Sequence, residues 1–164
     1  MWVVLTARLC TAPSAPVGAR SGDTVRPSRN PARMTKIAPA VASFWRTFAA
    51  TCADDPGPRF KQAYSFADNE DSANTLAQLV LAGRKRATAA LHSSYAAEGE
   101  ALPARGDLNV ITDWHGKPLC VIETERMDIV AFDAVSAEFA AAEGEGDGSL
   151  GYWRQVHWAF FERE

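Results

Sequence analysis

Three short runs rich in Val, Ile and Leu, at 107–112, 119–125 and 127–132, lie close together in this 164-residue chain and constrain its fold more than any other feature. Branched aliphatic residues fit a pleated, half-buried surface, and His115–Gly116 between the first two runs forms a turn, so the segment reads as a meander of strands. On either side the apolar period changes to that of a helix. Ile37, Val41, Phe44 and Phe48 follow i, i+4, i+7, i+11 and place one stripe on a helix that packs on the domain. Asp54, Asp55, Pro56, Gly57 and Pro58 break it, and alternation over 60–66 predicts a short strand. A second helix follows, with Ser72 as N-cap, Leu76, Leu79 and Val80 on its buried face and Gly83 at its end, and 84–91 leaves it as a strand. After the meander, Asp133 is the expected N-cap of a helix over 135–142, and Leu150, Trp153, His157 and Phe160 mark a last amphipathic helix. Helices flanking a run of strands define an α+β domain with a small curled sheet or barrel.

Charge divides the chain. Residues 1–33 hold five Arg, no Lys and one acid, a balance of +4, with Pro13, Pro16, Pro27 and Pro31 among small polar residues. This composition predicts a disordered extension outside the core, an artefact of start-site choice with Met34 as the true start, or, as the minor alternative, a targeting segment. Residues 34–164 then form the domain. They carry a balance of −7, which excludes a protein held to long RNA by charge alone and favours a small, specific ligand. Cys10, Cys52 and Cys120 are odd in number and contain no Cys-x-x-Cys pair, so neither a disulfide framework nor a zinc site is expected, and a reducing cytoplasm fits. No apolar run approaches the roughly 20 residues needed to cross a bilayer, so no membrane association is expected.

Three constellations can carry chemistry. In Gly83-Arg84-Lys85-Arg86-Ala87-Thr88, three cations stand where a helix ends and a strand begins. They either cap the helix dipole or place Lys85 and Thr88 in one cavity, where a desolvated amine activates a hydroxyl or a water while Arg84 and Arg86 contact substrate. In the stretch 143–149, Glu143, Glu145 and Asp147 are threaded on glycines and followed by Ser149. This is either a solvated loop or a site loop that sets a carboxylate opposite Lys85 for general acid or base catalysis. In the stretch 152–161, aromatics at helical spacing make either a core face or a base-stacking platform that includes Trp153. His92 and His115 lack the spacing of metal ligands, and the chain contains no phosphate-binding glycine loop, so no cofactor is expected.

Leu79-Val80-Leu81-Ala82-Gly83-Arg84-Lys85-Arg86-Ala87-Thr88-Ala89, Arg105-Gly106-Asp107-Leu108, Pro118-Leu119-Cys120-Val121-Ile122-Glu123-Thr124 and Glu143-Gly144-Glu145-Gly146-Asp147, in this order, resemble the ASCH domain family. The ending Tyr152-Trp153-Arg154, His157-Trp158 and Phe160-Phe161 is similar to its bacterial branch. The resemblance covers about residues 66–161. It implies a PUA-like β-barrel with flanking helices and a cleft for RNA or a modified nucleoside. It also implies a metal-independent hydrolase, either an N4-acetylcytidine amidohydrolase or a ribonuclease, or a non-catalytic RNA-binding module. In the amidohydrolase pattern the catalytic set corresponds to Lys85, Thr88 and Glu145, with Glu143 as the rival acid. For a ribonuclease Lys85 balances phosphate charge and Ser149 or a pocket aromatic helps to position RNA. Two departures stand out: Ala90 occupies the place of a pattern arginine, and relatives continue past the Phe pair into a final barrel strand. A barrel lacking that strand, with an unpaired edge, is therefore expected.

Overall fold

The computed structural model describes residues 1–10 and 37–162. Five strands form one mixed sheet in the order β2-β4-β5-β1-β3. They are β1 (Trp2–Cys10), β2 (Phe60–Tyr64), β3 (Ala87–Leu91), β4 (Leu108–Thr112) and β5 (Pro118–Val130). Five helices accompany them: α1 (Pro39–Ala49), α2 (Glu70–Leu81), α3 (His92–Ala97), α4 (Ala137–Glu143) and α5 (Leu150–Phe161). Strand β2 is parallel to β4, and every other neighbouring pair is antiparallel.

The first ten residues overturn the expectation that 1–33 lies outside the core. Strand β1 sits inside the sheet, pairing with β5 from Trp2 to Cys10 on one side and with β3 from Trp2 to Thr6 on the other. Trp2, Val3, Val4 and Leu5 are buried. A strand hydrogen-bonded on both edges satisfies its backbone groups without solvent, so a short apolar run at a chain end suffices to place it there. The rest of the stretch expected to be disordered, 11–33, lies outside the described residues.

The expected barrel is also corrected: the sheet is open. Its edges are β2 and β3, and α2 carries the chain from one to the other across a sheet face, its Ala77 and Val80 packing on Ile111, Cys120 and Ile122. Closure would require β2 to pair with β3, and the helix between them covers a face instead. The opposite face is covered by α1, whose Val41 and Trp45 meet Phe60, Leu108, Val110 and Val121. Val110 and Ile111, like Val121 and Ile122, thus feed opposite faces, and β4 is buried along its whole length. A third cluster joins Trp2 and Val4 to Val135, Ala140 and Trp153 under α4 and α5.

Local assignments shift in instructive ways. The second and third runs of the meander form one strand, β5, which carries an irregularity in its pairing with β1 at Glu125 without ending there. Asn69, not Ser72, caps α2, with the Ser72 amide donating to its side chain at 2.9 Å. Ser136, not Asp133, caps α4, accepting from the Phe139 amide, while Asp133 lies in a short 3-10 turn. Both replacements keep the chemistry of the cap and move it to the residue three places from the bonded amide.

Candidate functional site

Extended backbone after Gly83 alternates its side chains, so Lys85 points inward, buried, while Arg84 and Arg86 are exposed. Two ties fix this segment. The amides of Arg84 and Lys85 both donate to the Leu79 carbonyl at the end of α2, and the Arg86 amide donates to Ala142 of α4 at 2.7 Å. Gly144 then turns the chain in the left-handed region (φ 67°) directly against Arg84. A Cβ there would stand 2.6 Å from the Arg84 carbonyl oxygen, so only glycine lets the two segments approach this closely.

That approach sets Lys85 between two carboxylates. Its Nζ lies 2.6 Å from Glu145 Oε1 and 3.6 Å from Glu143 Oε1, and 5.4 Å from the centroid of the Phe66 ring. Glu143 is fully buried and Glu145 partly accessible. Glu143 Oε2 accepts from Trp153 Nε1 at 2.5 Å and lies 3.1 Å from His157 Nε2. His157 Nδ1 donates to the Trp153 carbonyl one helical turn back, at 2.9 Å. Trp153 and His157 stack, centroids 4.2 Å apart, on α5, and Trp2 of β1 packs edge-on against both. Burial opposes the charge on Glu143, but Lys85, His157 and Trp153 together hold its carboxyl below the usual range. Glu143 is therefore a carboxylate, an acceptor only. Its Oε1 is buried and has no hydrogen-bond partner.

This cluster forms the wall of a cavity of about 570 Å³. The turn before α2 contributes Phe66, Asp68 and Asn69, α2 contributes Ser72, Thr75 and Leu76, β3 contributes Thr88, and α5 contributes Tyr152, Gln155 and Phe160. Among these lining residues Lys85 is the one Lys or Arg, against Asp68, Asp71, Glu143 and Glu145. The volume suits a small molecule, and the charge disfavours a polyanion.

The structure therefore brings Lys85, Thr88, Glu143 and Glu145 of the expected set into one cavity. It does not bring the others there. Arg84 and Arg86 line a separate open depression with Asp147 and Gly148. Ser149 is exposed and caps α5, accepting from the Tyr152 amide at 3.1 Å. Trp153 is buried, with 2% of its surface exposed, and serves Glu143 rather than the cavity surface. Sequence reasoning missed His157 as a partner of Glu143; its place one turn after Trp153 on the same helix face was the available signal. Phe66, Asn69 and Gln155 carried none. Among the described residues no three His, Cys, Asp or Glu side chains are arranged to hold a metal ion, and no helix is long and apolar enough to cross a membrane.

An open five-stranded mixed sheet with helices packed on both faces is an α+β domain of the PUA-like class. The chain belongs to the ASCH domain family, whose model matches residues 62–164. It is similar to the ASCH domain from Lactobacillus crispatus JV V101, with 35% identity over 78% of this chain and 82% of that one and a TM-score of 0.73. It also resembles protein EF3133 from Enterococcus faecalis V583, with 34% identity over 76% and 74% of the two chains and a TM-score of 0.65. No curated protein matches it. ASCH domains are linked to RNA binding.

Proposed function

We propose that the cavity binds a modified nucleoside and hydrolyses an amide on its base, as in the N4-acetylcytidine amidohydrolases that the motifs resemble. The observation that carries this reading is the Lys85–Glu145 pair at 2.6 Å on the wall of a cavity of nucleoside size. An ammonium in an ion pair has no lone pair to offer, so the basic group of the pair is Glu145, which is also the more accessible of the two acids. Glu145 accepts a proton from the attacking water as the new C–O bond forms, then delivers it to the amide nitrogen as the C–N bond breaks, releasing the acyl group as a carboxylic acid and freeing the amine. The Lys85 ammonium stabilises the developing oxyanion, and the Thr88 hydroxyl on the same wall orients the water. The rings of Phe66, Tyr152 and Phe160 offer flat surface for a base.

A second reading, a non-catalytic RNA-binding module, is favoured by the exposed Arg84 and Arg86 in their own depression. One assay separates the two. The full chain is incubated with N4-acetylcytidine and with a short single-stranded RNA, beside Glu145→Gln and Lys85→Met variants shown by circular dichroism to be folded. Loss of a general base lowers kcat by about 10²–10⁴ while nucleoside affinity persists. A folded wild type that turns over neither compound defeats the hydrolase reading. Salt-dependent RNA affinity that falls in Arg84→Ala/Arg86→Ala would then establish the module.

A further inference from the structure

Glu143 has one oxygen with hydrogen-bond partners and one with none, the latter only in ion-pair range of Lys85. Oε2 faces Trp153 Nε1 and His157 Nε2, whereas Oε1 is buried, without a hydrogen-bond partner, and 3.6 Å from Lys85 Nζ, whose short contact is to Glu145 instead. A buried acceptor left unmade is costly, and this one belongs to a residue lining the cavity. We infer that Glu143 Oε1 reads an N–H donor on the bound molecule, so that the site selects secondary amides, whose nitrogen still carries a hydrogen, over tertiary amides. This rests on the nucleoside reading above and divides the two glutamates: Glu145 moves the proton and Glu143 recognises the nitrogen that receives it.

The surroundings of Glu143 sharpen the test. With the Trp153 indole N–H aimed at the Oε2 position, a glutamine at 143 places its carbonyl oxygen there and its NH₂ at the Oε1 position. Glu143→Gln thus turns the acceptor into a donor at nearly constant shape. Binding is measured by calorimetry on the full-length Glu145→Gln protein, in which turnover is suppressed. The ligands are N4-acetylcytidine, its N4-methyl derivative, and the isosteric ketone in which CH₂ replaces the N–H. The secondary amide is expected to bind about tenfold or more tightly than either donor-free compound, a difference that shrinks to about threefold or less once Glu143→Gln is added. Equal binding of amide and ketone overturns the inference, as does a preference that survives Glu143→Gln. The ketone comparison needs no second substitution, so it decides the matter even if the double variant does not fold. Tighter binding of the amide without turnover by the wild type would uphold the inference and remove only the hydrolase reading, whereas no binding of any of the three would remove both.

Discussion

Trp2→Ala probes the least expected part of the fold. Trp2 is 7% exposed, with ring centroids 5.3 Å from Phe132, 5.9 Å from Trp153 and 6.3 Å from His157. Truncating a core Trp to Ala costs about 3–5 kcal/mol through lost transfer energy and the cavity left behind. Trp2 sits at the first position of its strand, where neighbours collapse more easily, so the lower end, about 3 kcal/mol, is expected. For a domain of this size that corresponds to a fall in Tm of about 10 °C. Urea unfolding of the full-length wild type and variant, followed by circular dichroism, measures it directly. Because Trp2 packs against the two residues that hold Glu143, activity should fall in the variant even where it is fully folded. A stability change within about 0.5 kcal/mol, the size of an ordinary surface substitution, would refute the placement of β1 in the sheet interior.

Gly144→Ala and Gly83→Ala separate conformational strain from contact. Both glycines have φ near 70°, but a Cβ at 83 meets nothing within 4 Å and one at 144 meets the Arg84 carbonyl at 2.6 Å. Gly83→Ala should cost about 1 kcal/mol and Gly144→Ala at least about 2 kcal/mol in the same urea experiment, and equal costs would show that the close approach is not what demands glycine. The Glu143 carboxyl has a lowered folded-state pKa, so its stabilisation is present above the ordinary carboxylate pKa and is lost as pH falls through the folded value. Urea midpoints taken from pH 7 to pH 3 should therefore fall less steeply for Glu143→Gln than for the wild type; parallel curves would mean that Glu143 is not held as described. Burial pushes the Cys120 thiol up to about 11, so in the native protein at pH 8 Cys120 should resist iodoacetamide by a factor of about 100 relative to the urea-unfolded chain. Peptide mass spectrometry reads this, and equal labelling in the two states would place Cys120 outside the core.

How much of this was legible in the sequence depended on whether the signal was local. The stripe of Ile37, Val41, Phe44 and Phe48 and the face of Leu76, Leu79 and Val80 are periodic patterns that one helix fixes by itself, although the residues buried deepest beside Val41 and Val80 are Trp45 and Ala77, and the strand runs at β4 and β5 announce themselves by branched side chains. Strand β1 did not, although Val3, Val4 and Leu5 are good strand formers. Its neighbours β3 and β5 lie more than 80 residues away in sequence, and the proline-rich composition that follows it dominates any window that includes it. Pairing of that range is decided by tertiary contacts that no local pattern encodes. Barrel closure failed for the same reason, since whether β2 meets β3 depends on where α2 comes to rest.

The site shows the same division at closer range. Lys85 and the two glutamates stand in glycine-punctuated segments that read equally well as a helix cap and a solvated loop, and it is the resemblance to the ASCH family that singled them out as a set. What the segments could not reveal is which cation turns inward. Three consecutive cations on extended backbone must alternate, and the register is set by the Arg86 amide donating to Ala142 and by Gly144 pressing on Arg84, both across about 60 residues of sequence. That register buries Lys85 and leaves Arg84 and Arg86 outside. A slip by one residue would reverse the assignment, burying two arginines and exposing the lysine. The backbone approach at Gly144 is therefore as much a determinant of the chemistry as Lys85 itself: it selects which cation meets Glu143 and Glu145 on the cavity wall.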